Sequence, residues 1–116
     1  MKTTARDFRI FRSECERLVK SWGLTGWNIR CEHGTGSVAC RAQYTCDISN
    51  RVLWLRLSCD WDVVPMRALL IEAARHEVAH GVLGPLDCLN ENRFVTRDEH
   101  NAAVHEVVHH LVRLLP

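Results

Sequence analysis

The sequence predicts an α+β fold: an N-terminal helix, a small three-stranded, mainly antiparallel sheet, and then two long helices, all in one domain spanning residues 1–116. Three observations lead there. Apolar residues recur at three- and four-residue steps near the N-terminus, alternate with polar ones between residues 26 and 59, and return to helical spacing after Pro65. With 47% apolar residues, a chain of this length can bury a core without depending on disulfides or metal.

The first helix is expected from about Thr4 to Trp22, where Phe8, Phe11, Cys15, Leu18, Val19 and Trp22 make one apolar stripe and Gly23 supplies a stop. Strands are expected at Gly26 to His33, Val38 to Ile48 and Arg51 to Cys59, separated by the turn-forming stretches "HGTGS" and "SN", the last two as a hairpin. In "CDWDVVPMRALL", Asp60 or Asp62 is suited to cap a helix that carries Pro65 in its first turn, where a missing N–H costs nothing. That helix should end at Gly84-Pro85. Its residues Leu69, Leu70, Ile71, Ala73, Ala74, Val78, Ala79, Val82 and Leu83 spread apolar character around most of the circumference, which predicts burial on several sides. "PLDCLNENRFV" reads as a connection. Thr96 and Glu99 then have the spacing of a capping box, opening a last helix to about Leu115 with Val104, Val107, Val108, Leu111, Leu114 and Leu115 as its packing stripe.

A formal net charge of +1 with 25% charged residues offers no electrostatic case for nucleic acid or an anionic membrane as the main partner. Arg6, Arg9, Arg12 and Arg17 are offset by Asp7, Glu14 and Glu16, which suits a solvated helix face. The N-terminal stretch has no uninterrupted apolar run, so neither a secretory signal nor a membrane anchor is expected and a cytoplasmic location is. Six cysteines occur without a CxxC pair, which argues against a zinc ribbon. Cys31, Cys40 and Cys46 fall in phase with apolar neighbours and read as small buried hydrophobes in a reducing compartment.

The stretch "ARHEVAHG" carries the chemistry. On a helix, His76 and His80 lie about 40° apart around the axis and one turn apart in height, so both imidazoles can reach one ion. Zinc takes neutral histidine nitrogens tetrahedrally. Glu77, beside that face, can hold a zinc-bound water without ligating the metal, which is where a general base is needed. Placed unpaired in a buried helix, the same three residues would cost several kcal/mol.

This layout, with "HEVAH" on the helix that follows a hairpin and a further helix after it, resembles a minimal zincin-type (HExxH) metallopeptidase, similar to compact phage-type metallopeptidases and distantly to SprT-like domains. The resemblance covers nearly the whole chain in arrangement, but only "HEVAH" is specific. The longer metzincin pattern does not continue, since Leu83 and Leu86 stand where glycine and histidine would be required. The resemblance implies a zincin-like fold, Zn²⁺ as cofactor, a peptide or protein substrate added along an exposed sheet edge, and a third metal ligand, usually glutamate, from the C-terminal helix. That helix holds a second copy, His105, Glu106 and His109, within "VHEVVHHL". Glu106 has the residue type the family uses, whereas His105 stands at the family's register; Glu106 is favoured, then His105, then His109.

The leading expectation is therefore a zinc-dependent peptidase with His76, His80 and Glu106 (or His105) as ligands and Glu77 as general base. One alternative is a non-catalytic zinc-stabilised module, closed by His109 or Cys88; another is a nucleic-acid-associated factor. His33 is expected in a turn, and His100, His109 and His110 on a solvated helix surface or in ordinary packing. Trp22, Trp27, Trp54 and Trp61 read as core or cleft-lining residues. For an oxyanion, Tyr44, His109 and His110 are the candidates.

Overall fold

The computed structural model describes residues 1–34, 40–90 and 94–114. In chain order the elements are α1 (Ala5–Ser21), β1 (Asn28–Gly34), β2 (Ala42–Asp47), β3 (Val52–Ser58), α2 (Arg67–Val82), α3 (Gly84–Asn90) and α4 (Arg97–Leu114). The α+β class and the order of helix, sheet and helices match the expectation.

Helix α1 is closed at both ends by local chemistry. Thr4 accepts from the Asp7 N–H, and the Asp7 carboxylate accepts from the Thr4 N–H, a reciprocal capping box. At the other end Gly23, at φ 68°, donates to the Lys20 carbonyl while Leu24 donates to that of Val19. This Schellman-type stop needs the left-handed conformation that glycine adopts without strain, and it turns Leu24 into the core.

The sheet order is β1-β3-β2, with β1 parallel and β2 antiparallel to β3. The sheet is thus mixed, which corrects the mainly antiparallel expectation. The hairpin holds, but its second strand enters between β2 and β1. Strand β3 is the most apolar of the three, with Leu53, Leu55 and Leu57 all buried, so the central position, flanked on both sides, hides the most hydrocarbon. Each such leucine contributes about 1.5–3 kcal/mol of burial. Alternation survives because only one sheet face is covered. Ile29, Cys31 and His33 of β1 and Ala42, Tyr44 and Cys46 of β2 share register with the three leucines, beneath α1 and α2. On the opposite face Arg56 pairs with Glu32 across β3 and β1.

Strand β2 is shorter than the expected Val38 to Ile48; Val38 and Ala39 lie outside the described residues. Cys31 and Cys46 are half-buried and Cys40 is exposed, so of these three expected buried cysteines none is fully enclosed; Cys15 is. His33 lies within β1, one residue before its end, rather than in a turn: its ring stacks on Phe8, and its Nε2 lies 2.8 Å from the Thr3 hydroxyl. In the β2–β3 turn Asp47 accepts from the Asn50 backbone and side chain, and Arg51 takes φ 53°.

Helix α2 starts later than expected. Asp60 pairs with Lys2 at 2.8 Å and Asp62 with Arg41 at 2.8 Å, so neither acid caps it. Met66 holds the N-cap position without a side-chain bond, and Pro65 precedes the helix. Nor is α2 buried all round: Leu70, Ala74, Glu77, Val78, Gly81 and Val82 face inward, while Glu72, Arg75, His76 and Ala79 are exposed. A Cβ on Gly81 would stand 3.0 Å from the Leu53 side chain, so glycine here lets the helix carrying the motif lie close on β3.

The stretch after Gly84 was expected to be a connection, yet it forms α3. A proline near the first turn starts a helix as readily as it ends one. The Thr96 side chain accepts from the Glu99 N–H, as the capping spacing predicts. Of the expected valine-leucine stripe Val107 is buried and Val104 half-buried, but Val108, Leu111 and Leu114 are exposed and Leu115 lies outside the described residues; Ala103 and His110 complete the buried side of α4 instead. Two polar contacts set that rotation: His110 Nε2 on the Trp22 carbonyl, and the Arg51 guanidinium donating to both oxygens of Glu106 at 2.9 and 3.1 Å.

Candidate functional site

The middle of α2 brings His76, Glu77 and His80 to the edge of the sheet. One helical turn separates the histidines, and their Nε2 atoms face each other at 3.2 Å, with the rings edge to face. Two nitrogens each about 2.05 Å from a tetrahedral ion stand about 3.3 Å apart. The pair therefore already has the spacing of two corners of a zinc site.

His80 is held on its other sides. Tyr44, reaching up from β2, stacks on its ring at 5.0 Å with the planes 10° apart. The Tyr44 hydroxyl donates to Asp87 of α3, and the Asp87 carboxylate lies 3.9 Å from His80 Nδ1. That distance is too long for a hydrogen bond but close enough for charge to act. A carboxylate on this side favours the proton on Nδ1 and leaves the Nε2 lone pair directed at His76. The same anion, with burial, pushes the Tyr44 phenol up from its ordinary value, desolvation being the larger cause.

Glu77 is buried at 7% exposure and lines a cleft of about 610 Å³ together with His76, Glu72, Leu69, Ala42 and Arg41. Burial raises its pKa, and the neighbouring imidazoles oppose the rise only in part. A carboxyl group with that bias is a better proton acceptor than an exposed one. The cleft runs beside Ala42, the first residue of β2, which forms one edge of the sheet.

The C-terminal candidates lie elsewhere. Glu106 is engaged by Arg51, whose guanidinium also sits 4.9 Å above the Trp27 ring, and this pairing holds the Glu106 carboxyl below its usual range. His105 and His109 are exposed, their rings 6.2 Å apart. Among the described residues, no group of three or more His, Cys, Asp or Glu side chains is gathered as a metal cage. Of the oxyanion candidates, Tyr44 is committed to Asp87, His110 to the Trp22 carbonyl, and His109 is on the surface.

Asp87 is not foreseen by the sequence, and Tyr44, expected as an oxyanion candidate, instead supports His80. Asp87 carries no local signal while "PLDCLNENRFV" reads as a connection; with Gly84-Pro85 starting a helix, it is an acid in a first turn just beyond the motif. The stacking of Tyr44 on His80 joins residues far apart in the chain, and only strand register decides it. Among the described residues no helix is long and apolar enough to cross a membrane. No protein-family model, curated protein or solved structure matches this chain.

Proposed function

We propose that the chain is a zinc-dependent metallopeptidase of zincin type in which His76 and His80 hold the metal and Glu77 is the general base. The observation that carries this reading is the pair of Nε2 atoms 3.2 Å apart, beside a buried carboxylate in an open cleft. Both donors have the chemistry zinc prefers, and the Asp87 charge on the far side of His80 favours the tautomer whose Nε2 is free to bind. A third donor would come from α4, with Glu106 first, then His105; Glu106 would have to leave its Arg51 partner and α4 would have to move toward the histidines, since the two are not gathered in the metal-free fold. Bound there, Zn²⁺ would polarise the scissile carbonyl and acidify the attacking water.

The work of the protein's own groups follows from their placement. Glu77, raised in pKa by burial, takes the proton of the attacking water and returns it to the leaving amine. The free edge of β2 offers backbone donors and acceptors to an extended peptide, which would bring a scissile bond along the cleft wall toward His76 and Glu77.

The test compares wild type with Glu77→Gln on unfolded proteins and peptide libraries, with zinc supplied. Wild type should cleave, and the variant should keep its fold and metal while losing about 10²- to 10⁴-fold in rate. Equal cleavage by both would remove Glu77 from its role. Metal binding without cleavage by either would favour the non-catalytic zinc module.

A further inference from the structure

Away from the imidazole pair, a second pair of reactive side chains meets. Cys46, on edge strand β2, and Cys88, on α3, are 42 residues apart in sequence, yet their Sγ atoms lie 2.8 Å apart. Non-bonded heavy atoms ordinarily rest at about 3.5–4.0 Å and bonded sulfurs at about 2.05 Å. The two thiols therefore stand between a bond and a simple contact. The backbones are near as well: Cys88 Sγ is 3.7 Å from the Cys46 carbonyl, and a Cβ on Gly84, where α3 begins, would stand 3.2 Å from Cys46 Sγ. Both cysteines are half-buried, so a small reagent can reach them; Cys15, by contrast, is fully enclosed.

We propose that Cys46 and Cys88 are an oxidative modification site, a dithiol that a low-molecular-weight disulfide converts into an intrachain bridge pinning α3 to β2. The reaction is thiol–disulfide exchange. The Cys88 thiolate attacks one sulfur of the reagent RSSR, forming a mixed disulfide and releasing RS⁻, which takes a proton. Cys46 then gives up its proton and attacks the Cys88 sulfur, forming the bridge and releasing the second RSH. The protein dithiol loses two electrons and two protons, and RSSR becomes two RSH. Burial and the Cys88 contact raise the Cys46 thiol above its ordinary value, and the same bridge forms whichever sulfur attacks first. Asp87, next in sequence to Cys88, holds Tyr44 and approaches His80, so the bridge would also fix the support of the proposed metal ligand. That consequence rests on the zinc reading; the bridge itself does not.

The experiment uses the full chain, folded and metal-free, with excess oxidised glutathione. Non-reducing peptide mapping should join the Cys46 and Cys88 peptides, and the Tm should rise by roughly 10 °C, reversibly with dithiothreitol. Cys46→Ser should stop at glutathione on Cys88. Wild type that keeps both thiols free, or that holds a lasting glutathione adduct without the bridge, overturns the proposal. So does a bridge that lowers the Tm. Since neither metal nor substrate is present, these outcomes are independent of whether the chain is a peptidase, and the wild-type mapping decides even where a serine variant fails to fold.

Discussion

Zinc should raise the melting temperature of the metal-free protein, and replacing either His76 or His80 by alanine should abolish the rise. The magnitude follows from geometry and linkage. Nitrogens 3.2 Å apart subtend about 103° at an ion about 2.05 Å from each, about 7° short of tetrahedral, so the spacing of the pair already suits the ion. Preorganisation of this kind spares the side-chain entropy of assembling two ligands, and binding then stabilises the native state by RT ln(1 + [Zn]/Kd). At a hundredfold excess over Kd that is about 2.7 kcal/mol, or roughly 10 °C for a domain of this size. The assay is a thermal melt of tag-free protein in chelator-treated buffer with stepwise zinc. His76→Ala leaves one imidazole, and a single nitrogen cannot chelate. His76 is exposed, so the variant should fold normally and isolate the metal effect. An unchanged wild-type Tm across the titration would mean that the facing imidazoles merely share a proton. A shift of the same size in both alanine variants would place the metal elsewhere; either result refutes the reasoning.

Other consequences can be checked separately. Asp87→Asn removes the charge at His80 Nδ1 while keeping a partner for Tyr44, and should weaken zinc binding by about 10- to 100-fold in a competition titration. If Glu106 is the third ligand, its Arg51 ion pair competes with the metal; Arg51→Gly, which also suits the positive φ, should then tighten zinc binding, whereas Glu106→Ala should weaken it. Loss of zinc in His105→Ala with retention in Glu106→Ala would move the ligand by one residue. Without metal, Glu77→Gln should stabilise the protein near neutral pH. The folded-state pKa of Glu77 lies above its unfolded value of about 4.5, so the wild-type penalty is absent below that value and grows as pH rises through the folded pKa. A Gln advantage in Tm that failed to shrink on acidification toward pH 4.5 would contradict this.

Helices α1, α2 and α4, the hairpin and the i, i+4 spacing of His76 and His80 are legible in the sequence because each depends on neighbours within a few residues. Gly23 after Trp22, Thr96 with Glu99, and an i, i+4 histidine pair are local arrangements that backbone geometry alone dictates. What tertiary structure decided was everything that required a choice among partners. Asp60 and Asp62 are both good caps in isolation, but Lys2 and Arg41, brought close by the folded chain, claim them first. Alternation marked three strands without ordering them; β3 became central because it alone has leucines enough to be flanked on both sides, and this made the β1 pairing parallel. The rotation of α4 could not be read from its valines and leucines, since the Trp22 carbonyl and the Arg51 guanidinium draw His110 and Glu106 toward the protein. The support of His80 is of the same kind: Tyr44, Asp87 and the Cys46–Cys88 contact are spread over more than forty residues, and only the docking of α3 on β2 brings them together.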